Sequence, residues 1–189
     1  MRGLKWTLPW TWGDTGASLA PPAPATYDGP HLVRAVAVAA PPEVVFRWLA
    51  QLQVAPYSYD LLDNGGRRSP RHLVDGLTVE VGTSMMDIFT VTALVPDRVL
   101  ELTLTDPGAV RAFGPLVCSY QTIPQVAGTT LRCDVFLTPR TGADRVRAYL
   151  LAWGDLVMMR KQLRTFAALS QKGQPVQAPS SHAVARTER

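Results

Sequence analysis

Charge is scarce in this sequence. Asp, Glu, Lys and Arg make up 18% of its 189 residues, whereas about a quarter is usual in soluble domains. The length suits one ordinary domain and hardly two. A single domain with so little charge either buries much of its apolar surface or lines a cavity with it.

Long apolar runs and cysteines are also few. The longest nearly apolar run covers residues 35–42, far short of the ~18 residues that a membrane-spanning helix needs. No apolar run with a small-residue cleavage site follows the start, so we expect no secretory signal. Cys118 and Cys133 are too few for a disulfide scaffold and form no C-x-x-C pair. We therefore expect a reducing, cytoplasmic location.

Histidines are few, and the common catalytic motifs are missing. His31, His72 and His182 lie far apart and lack the spacing of zinc ligands, so we expect no metal. There is no G-x-S-x-G, P-loop or G-x-G-x-x-G motif, which argues against hydrolases and nucleotide-binding enzymes. The sequence predicts no cofactor and assigns no catalytic residue.

The positive charge is confined to one end of the chain. Residues 1–140 hold eleven basic and twelve acidic residues, whereas residues 141–189 hold eight basic and three acidic ones. The net charge of +4 therefore belongs to the C-terminal part. A broad basic surface for nucleic acid is not expected from this distribution.

The composition divides the chain into three parts. Residues 1–29 form an arm rich in proline that also carries Trp6, Trp10 and Trp12. We expect these tryptophans to pack on the domain surface, with a membrane surface or a partner as the alternative. Residues 30–170 form the domain. Residues 171–189 have the composition of a disordered tail.

The first half of the domain predicts one strand and two short helices. Residues 31–39 alternate small and branched side chains, as a strand does. Residues 42–52 predict a helix, because apolar side chains recur at i, i+3, i+4 and i+7. Ser58 can cap a second short helix that ends near Asn64.

Period-two alternation then continues over residues 73–138, and it predicts antiparallel strands. Strands are expected at 77–81 and 84–95, and a turn is expected at Asp106-Pro107-Gly108. A hairpin is expected around residues 125–128.

A long helix ends the pattern. Thr141 and Asp144 have the spacing of a capping box, and the helix they begin should reach Ser170. Its expected apolar stripe consists of Val146, Tyr149, Leu150, Trp153, Leu156, Val157 and Leu163. The elements together predict an α+β fold, a twisted antiparallel sheet wrapped around a long C-terminal helix, with two short helices after the first strand.

This order of elements, with APPEVVFRWL at residues 40–49, resembles the START-like superfamily, also called SRPBCC or the Bet v 1-like helix-grip fold. The segments YSYDLLDNGGRRSP at 57–70 and GDLVMMRKQL at 154–163 resemble its bacterial polyketide cyclase/dehydrase-like branch. The resemblance spans roughly residues 31–170. It implies a deep, largely apolar cavity between the sheet and the C-terminal helix, and binding of lipids, sterols, polyketides, quinones or plant hormones. Some members are cyclases or aromatases, and no catalytic role transfers residue by residue.

Eight side chains are candidate ligand contacts: Trp48, Tyr57, Tyr59, Asp60, Arg67, Met86, Tyr120 and Trp153. The polar and aromatic residues at 57–68 either form a cavity mouth or hold the loop through ion pairs. The Tyr120 hydroxyl needs a partner if it lies in an apolar cavity.

Two further pairs have an ordinary structural explanation. Arg132 and Asp134 are expected to form an ion pair at the surface. Cys118 and Cys133 are expected to be buried thiols, with a disulfide or a reactive pair as the alternative.

We expect a protein that binds a small hydrophobic molecule, with no nucleic-acid partner and no integral membrane association. A cyclase, aromatase or dehydratase that uses a pocket Tyr or Asp is the first alternative. A chaperone-partner module is the second.

Overall fold

The computed structural model describes residues 8–13, 29–59, 66, 68–139 and 141–172. These residues contain seven strands, three α-helices and a 3₁₀ turn at Gln51–Gln53. In chain order they are β1 (Thr11–Trp12), β2 (His31–Val38), α1 (Pro42–Ala50), β3 (Ser84–Met85), β4 (Phe89–Val95), β5 (Val99–Leu104), α2 (Pro107–Phe113), β6 (Leu116–Gln125), β7 (Gly128–Leu137) and α3 (Gly142–Lys172).

All seven strands join one sheet in the order β1-β2-β7-β6-β5-β4-β3. The predicted α+β helix-grip architecture is confirmed, since the long helix α3 packs against this sheet and α1. Strand β1 departs from the prediction because it pairs with β2 in parallel, with Thr11 beside Val33. Gly13 ends β1 at a φ of 94°, and a Cβ there would overlap the Ala35 carbonyl. Only glycine allows this close approach.

The hairpin of β6 and β7 forms as predicted, with Gln125 paired to Gly128. On β7, Leu131, Cys133, Val135 and Leu137 belong to the hydrophobic core. Because successive side chains of a strand alternate between the two faces of a sheet, Arg132 and Asp134 lie on the other face. The core therefore fills the space between the sheet and the helices α1 and α3.

The predicted strand at residues 77–81 is wrong. The segment 73–83 has no regular structure, and its glycines Gly76 and Gly82 have φ values of 78° and 95°. Side chains of the preceding turn hold this segment instead of a strand ladder. Gln51 accepts from Val74 N at 3.0 Å, and Gln53 donates to Thr78 O at 3.1 Å.

Two other local predictions also change. The strand expected over 84–95 is interrupted after Met85, because Met86 and Asp87 adopt φ values of 52° and 62°. The turn expected at Asp106-Pro107-Gly108 is the start of α2. Asp106 caps this helix by accepting from Ala109 N at 2.7 Å, and proline suits the first helical position.

The N-terminus of α3 forms the predicted capping box. Asp144 N donates to Thr141 Oγ1 at 3.2 Å, and Thr141 N donates to Asp144 Oδ2 at 2.9 Å. The helix continues two residues past Ser170 to Lys172.

The apolar stripe predicted for α3 is wrong over its first half. Leu156 and Leu163 are buried as expected. Five members of the predicted stripe are exposed instead: Val146, Tyr149, Leu150, Trp153 and Val157. The buried positions there are Ala148 and Ala152. The reason lies in the sheet, where the Arg34 guanidinium donates to Ala152 O at 3.2 Å, so that the backbone of the helix lies close to β2 and small residues face the sheet.

Several sequence predictions fall on other parts of the chain. Trp6, most of the second short helix at 58–64, and the tail from residue 173 onward lie outside the described residues. Within the described part, Trp10 and Trp12 of the arm pack against the hydrophobic core. No helix of that part is long and apolar enough to cross a bilayer.

Candidate functional site

A cavity of about 800 Å³ lies along α3. Its base is the side of α3 that faces away from the sheet, and its walls are residues 57–59, residues 69–71 and Leu8. None of the described lining residues belongs to a strand. We call it the outer cavity, because the family resemblance implies a cavity on the opposite side of this helix, between helix and sheet.

Side chains of the sheet and of α3 form hydrogen bonds across the space between them. Tyr120 on β6 donates its hydroxyl to Gln162 Oε1 on α3 at 2.7 Å, and Gln162 Nε2 donates to Pro56 O at 2.6 Å. Burial, reinforced by the nearby Cys133, raises the pKa of the Tyr120 phenol well above its usual range. Tyr120 is therefore a neutral donor with a protein partner, and a ligand would have to displace Gln162 to reach it.

One end of the outer cavity is apolar. Leu8, Trp153 and Val157 line it and are exposed, while Leu156 lines it from a buried position. Tyr57 also lines the cavity, but its ring packs on Phe166 at 5.2 Å between centroids, farther along α3. The Trp153 ring contacts Tyr149 in a T-shaped arrangement at 6.5 Å between centroids. Exposed aromatic and aliphatic side chains that share one concave surface are typical of a ligand site.

The other end of the outer cavity is cationic. Arg160, Lys161 and Arg164 follow the apolar residues along α3, and their spacing places them on one face of the helix. Arg71 and Lys172 complete this end, and no described lining residue is acidic.

Two of these arginines are positioned by Trp12. The guanidinium carbons of Arg160 and Arg164 lie 5.7 and 5.4 Å from the centroid of the Trp12 ring, within the range of cation–π attraction. Trp12 itself is buried as part of β1. The edge strand therefore holds the two arginine side chains beside the cavity.

A buried ion pair fixes that edge strand to the helix. Arg34 on β2 pairs with Asp155 of α3 at 2.9 Å and donates to Trp10 O at 2.9 Å. Burial raises the pKa of Asp155 to about 6, and the Arg34 charge opposes this rise. Arg34 was not singled out by the sequence. An arginine among the apolar residues of a predicted strand was the available signal.

The eight sequence-based candidates separate into three groups. Tyr57, Tyr59 and Trp153 line the outer cavity. Trp48 and Tyr120 lie in the buried core, and Met86 is partly buried against it. Asp60 and Arg67 lie outside the described residues.

Three of the candidates contact one another or the helix behind the cavity. The Trp48 ring packs edge-on to Tyr57 at 6.2 Å between centroids, and Met86 Sδ lies 3.9 Å from Gln162 Nε2. Gln162 was missed by the sequence reasoning, although a lone polar residue among the core positions of a helix was visible.

A polar cluster occupies the other face of the sheet around Asp134. Arg132 contacts both carboxylate oxygens at 2.7 Å, and His31 Nε2 lies 2.7 Å from Oδ1. Burial alone would raise the pKa of Asp134, but the hydrogen bonds from His31 and Arg132 lower it below its usual value. The predicted Arg132–Asp134 pair therefore forms, but it is buried and not at the surface, because Gln121 and His31 also close around the carboxylate.

The thiols and possible metal ligands offer no reactive centre in the described part of the chain. Cys118 and Cys133 are free and buried, and burial raises the pKa of Cys133. A thiol with a raised pKa is a poor nucleophile. No group of three or more His, Cys, Asp or Glu residues is placed to hold a metal among the described residues.

Comparison with known proteins gives the fold alone. No protein-family model matches the chain, and no curated protein matches it. Among solved structures, protein MLL2253 from Mesorhizobium loti is 20% identical with a TM-score of 0.51, over 77% of this chain and 99% of that chain. Protein NE0264 from Nitrosomonas europaea is 10% identical with a TM-score of 0.51, over 76% and 96%.

A protein from a biosynthetic pathway is also similar in structure. The di-domain ARO/CYC StfQ of the steffimycin pathway is 13% identical with a TM-score of 0.46, over 75% of this chain and 50% of that chain. At that distance the likeness says nothing about the chemistry of this chain. The two preceding structures support the helix-grip architecture.

Proposed function

We propose that this protein binds a small, largely apolar molecule in the outer cavity of α3. The observation that carries the proposal is the apolar end of that cavity, where Leu8, Trp153 and Val157 are exposed on one concave surface. The cavity volume of about 800 Å³ lies within the usual range of small-molecule sites.

Burial of apolar surface would supply most of the binding free energy. Each Å² of apolar surface removed from water contributes roughly 25 cal/mol, before the costs of ordering the ligand are subtracted. The Trp153 indole is the largest exposed group at this end, and aromatic side chains bury the most area per residue. Trp153 is therefore the residue on which affinity should depend most.

Polar groups at the wall would orient the ligand. Tyr59 lines the cavity and is 40% exposed, so its hydroxyl is accessible to a bound molecule. Asp60 and Arg67, which lie outside the described residues, stay sequence-based candidates. Trp48, Met86 and Tyr120 support the site from the core and are not proposed as direct contacts.

The enzyme alternative has little support from the described lining. A cyclase or dehydratase needs a group that accepts or donates a proton. The described lining includes no Asp, Glu, His or Cys, and its groups able to transfer a proton are Tyr57, Tyr59, Lys161 and Lys172. Because no described carboxylate or imidazole lines the cavity beside them, simple binding fits the cavity better than catalysis.

One observation favours a partner-binding role as the second candidate. Val146 and Leu150 are exposed on the same side of α3, at 62% and 65%, and they do not line the outer cavity. Exposed apolar stripes of this kind also occur at protein interfaces. If partner binding is the main role, substitutions at Val146 and Leu150 should weaken association with the partner, while binding of a small molecule in the outer cavity stays normal.

The first experiment is a titration with the uncharged fluorescent probe N-phenyl-1-naphthylamine. We expect saturable binding with one site, and Trp153→Ala should weaken it by about tenfold, since an aromatic contact of this size contributes more than 1 kcal/mol. Phe113→Ala is the matched control, because Phe113 is an exposed aromatic residue of α2 that does not line the outer cavity. Equal losses in both variants, or no saturable binding, would contradict the proposal.

The second experiment identifies the natural ligand. The protein is purified under native conditions, and its extract is searched by mass spectrometry for a small molecule that co-purifies. The same molecule should be depleted in Trp153→Ala and retained in Phe113→Ala.

A further inference from the structure

The outer cavity is polarised along the helix that forms its base. Trp153 and Val157 lie at one end, and Arg160, Lys161 and Arg164 follow toward the C-terminus. With a rise of 1.5 Å per residue, roughly 10 Å separate Trp153 from Arg160 and roughly 16 Å separate it from Arg164. An apolar surface therefore passes into a cationic one over the length of a small amphiphile.

The positive charge at this end is not neutralised by the described protein. The ion pairs of α3 join Arg34 to Asp155 and Arg147 to Asp144. No ion pair in the described part of the chain involves Arg71, Arg160, Lys161, Arg164 or Lys172. A cluster of cations in a partly enclosed cavity attracts an anion.

Arg160 and Arg164 are also held in place before any ligand arrives. Both guanidinium groups lie over the Trp12 ring, which attracts their charge but offers no oxygen acceptor to their N–H donors. These planar groups carry several donors in a fixed arrangement that matches carboxylate and phosphate oxygens. Preorganised donors lower the entropic cost of binding.

We infer that the ligand of the outer cavity is an anionic amphiphile, with its acidic head group between Arg160 and Arg164 and its apolar body along Val157 and Trp153. This inference rests on the proposed function, because it assigns the charge and orientation of a ligand in the same site. Charge complementarity at one end and exposed apolar surface at the other select this class of molecule over a neutral hydrophobe.

The test compares two molecules that differ in head-group charge. Decanoate and decanol, both below their aggregation limits, displace N-phenyl-1-naphthylamine from the wild-type protein at low salt. Decanoate should bind about tenfold more tightly than decanol, because hydrogen bonds between charged partners are stronger than those to a neutral hydroxyl. The preference should shrink as salt is added, since exposed charges are screened.

A variant pair then locates the head group. Arg160→Gln with Arg164→Gln should bring decanoate to within about twofold of decanol, since both charged donors are lost. Arg145→Gln is the matched control, because Arg145 is an exposed arginine of the same helix that does not line the cavity. It should keep the wild-type preference.

The outcomes separate the two proposals. If the neutral probe binds but decanoate and decanol bind equally, the inference about charge is overturned and the proposed function stands. If the neutral probe does not bind, both fall.

A third part of the test asks whether a lipid bilayer supplies the anionic head groups. Vesicles of phosphatidylglycerol and of phosphatidylcholine are offered to the protein. Binding to the anionic vesicles without displacement of the probe by monomeric decanoate would overturn the single-ligand inference in favour of a membrane surface.

Discussion

The two sides of α3 differ in a way that reverses the usual rule for an amphipathic helix. Over the first half of the helix, the side toward the sheet carries the small residues Ala148 and Ala152, whereas the opposite side carries Val146, Leu150 and Trp153. Large apolar side chains normally face the core. Here the helix backbone at Ala152 bonds directly to the buried Arg34 guanidinium, so small residues face the sheet and the large side chains are exposed.

The second half of α3 shows the ordinary arrangement. Leu163 and Phe166 are fully buried, and Arg160, Lys161 and Arg164 are directed to the outer cavity. In the second half of α3 the large apolar side chains therefore face the core, whereas near Arg34 they face away from the sheet. Substitutions on the two sides of α3 should therefore have unequal effects on the free energy of unfolding.

The largest expected effect comes from the buried pair of Arg34 and Asp155. Asp155→Leu leaves the Arg34 charge buried without its partner, and it should lower the free energy of unfolding by about 3–5 kcal/mol. Arg34→Met should lower it by less, because removing the Arg34 charge raises the pKa of Asp155 further and the carboxyl takes up a proton. The double variant should lose less than either single one, because both charges are gone. Urea denaturation of the four proteins measures this cycle.

The exposed pair of Arg147 and Asp144 is the control for that cycle. It is also on α3 and partly open to solvent, so Arg147→Gln should change stability by about 1 kcal/mol or less. If the buried and exposed pairs gave equal losses, the structural role of Arg34 would be refuted.

The pH dependence of stability should report on the same pair, at a somewhat smaller magnitude. The pKa of Asp155 is raised from 3.8 to about 6, so between these values the folded protein holds a proton that the unfolded chain has released. The contribution of Asp155 to stability is therefore full below about pH 4 and is lost as the pH rises through 6. The loss amounts to about 3 kcal/mol, from roughly two pKa units.

Asp155→Asn provides the reference for this measurement, since it keeps the shape and removes the titration. The difference in unfolding free energy between wild type and variant should fall as the pH rises from 4 to 7. A flat difference would show that the pKa of Asp155 is not raised. Asp134 contributes in the opposite sense, since its pKa is lowered and its stabilisation is lost at acid pH, but both proteins share it.

The inverted side-chain sizes give the third and smallest effect. Ala152→Leu adds volume where the helix meets Arg34, and it should destabilise the protein by about 1–3 kcal/mol. Leu150→Ala removes an exposed side chain two residues away, and it should change stability by about 0.5 kcal/mol or less. Thermal or urea unfolding of both variants checks the pair, and the reverse ranking would mean that α3 is rotated about its axis.

Elements governed by local chemistry could be predicted from the sequence. The hairpin at residues 125–128 and the capping box of Thr141 and Asp144 depend on a few neighbouring residues. The predicted alternation of side chains along β7 is also confirmed, because every second residue of a strand points to the same face of its sheet. These features need no knowledge of distant contacts.

Elements governed by distant contacts could not be predicted. The period-two pattern at 77–81 was overridden by the positive φ values of Gly76 and Gly82 and by side-chain bonds from the preceding turn. Asp106-Pro107 fits a turn and a helix start equally well by sequence. The orientation of α3 depends on Arg34, which is 121 residues away from Asp155.

The candidate site was predicted only in part for the same reason. Tyr57, Tyr59 and Trp153 line one cavity, but the sequence placed them on the inner side of the helix together with Tyr120. The arginines of the cavity were visible as a basic C-terminal segment. Their position beside Trp12 depends on the parallel pairing of β1 with β2, which no local pattern indicates.

The most direct test of binding on the outer side of α3 is photo-crosslinking with a decanoate that carries a diazirine at its apolar end. Peptide mapping by mass spectrometry should find the label on residues around Leu8, Trp153 and Val157, which line the apolar end of the outer cavity. Label on β6 and β7 around Tyr120 and Cys133 would place the ligand between sheet and helix and would contradict the site described above.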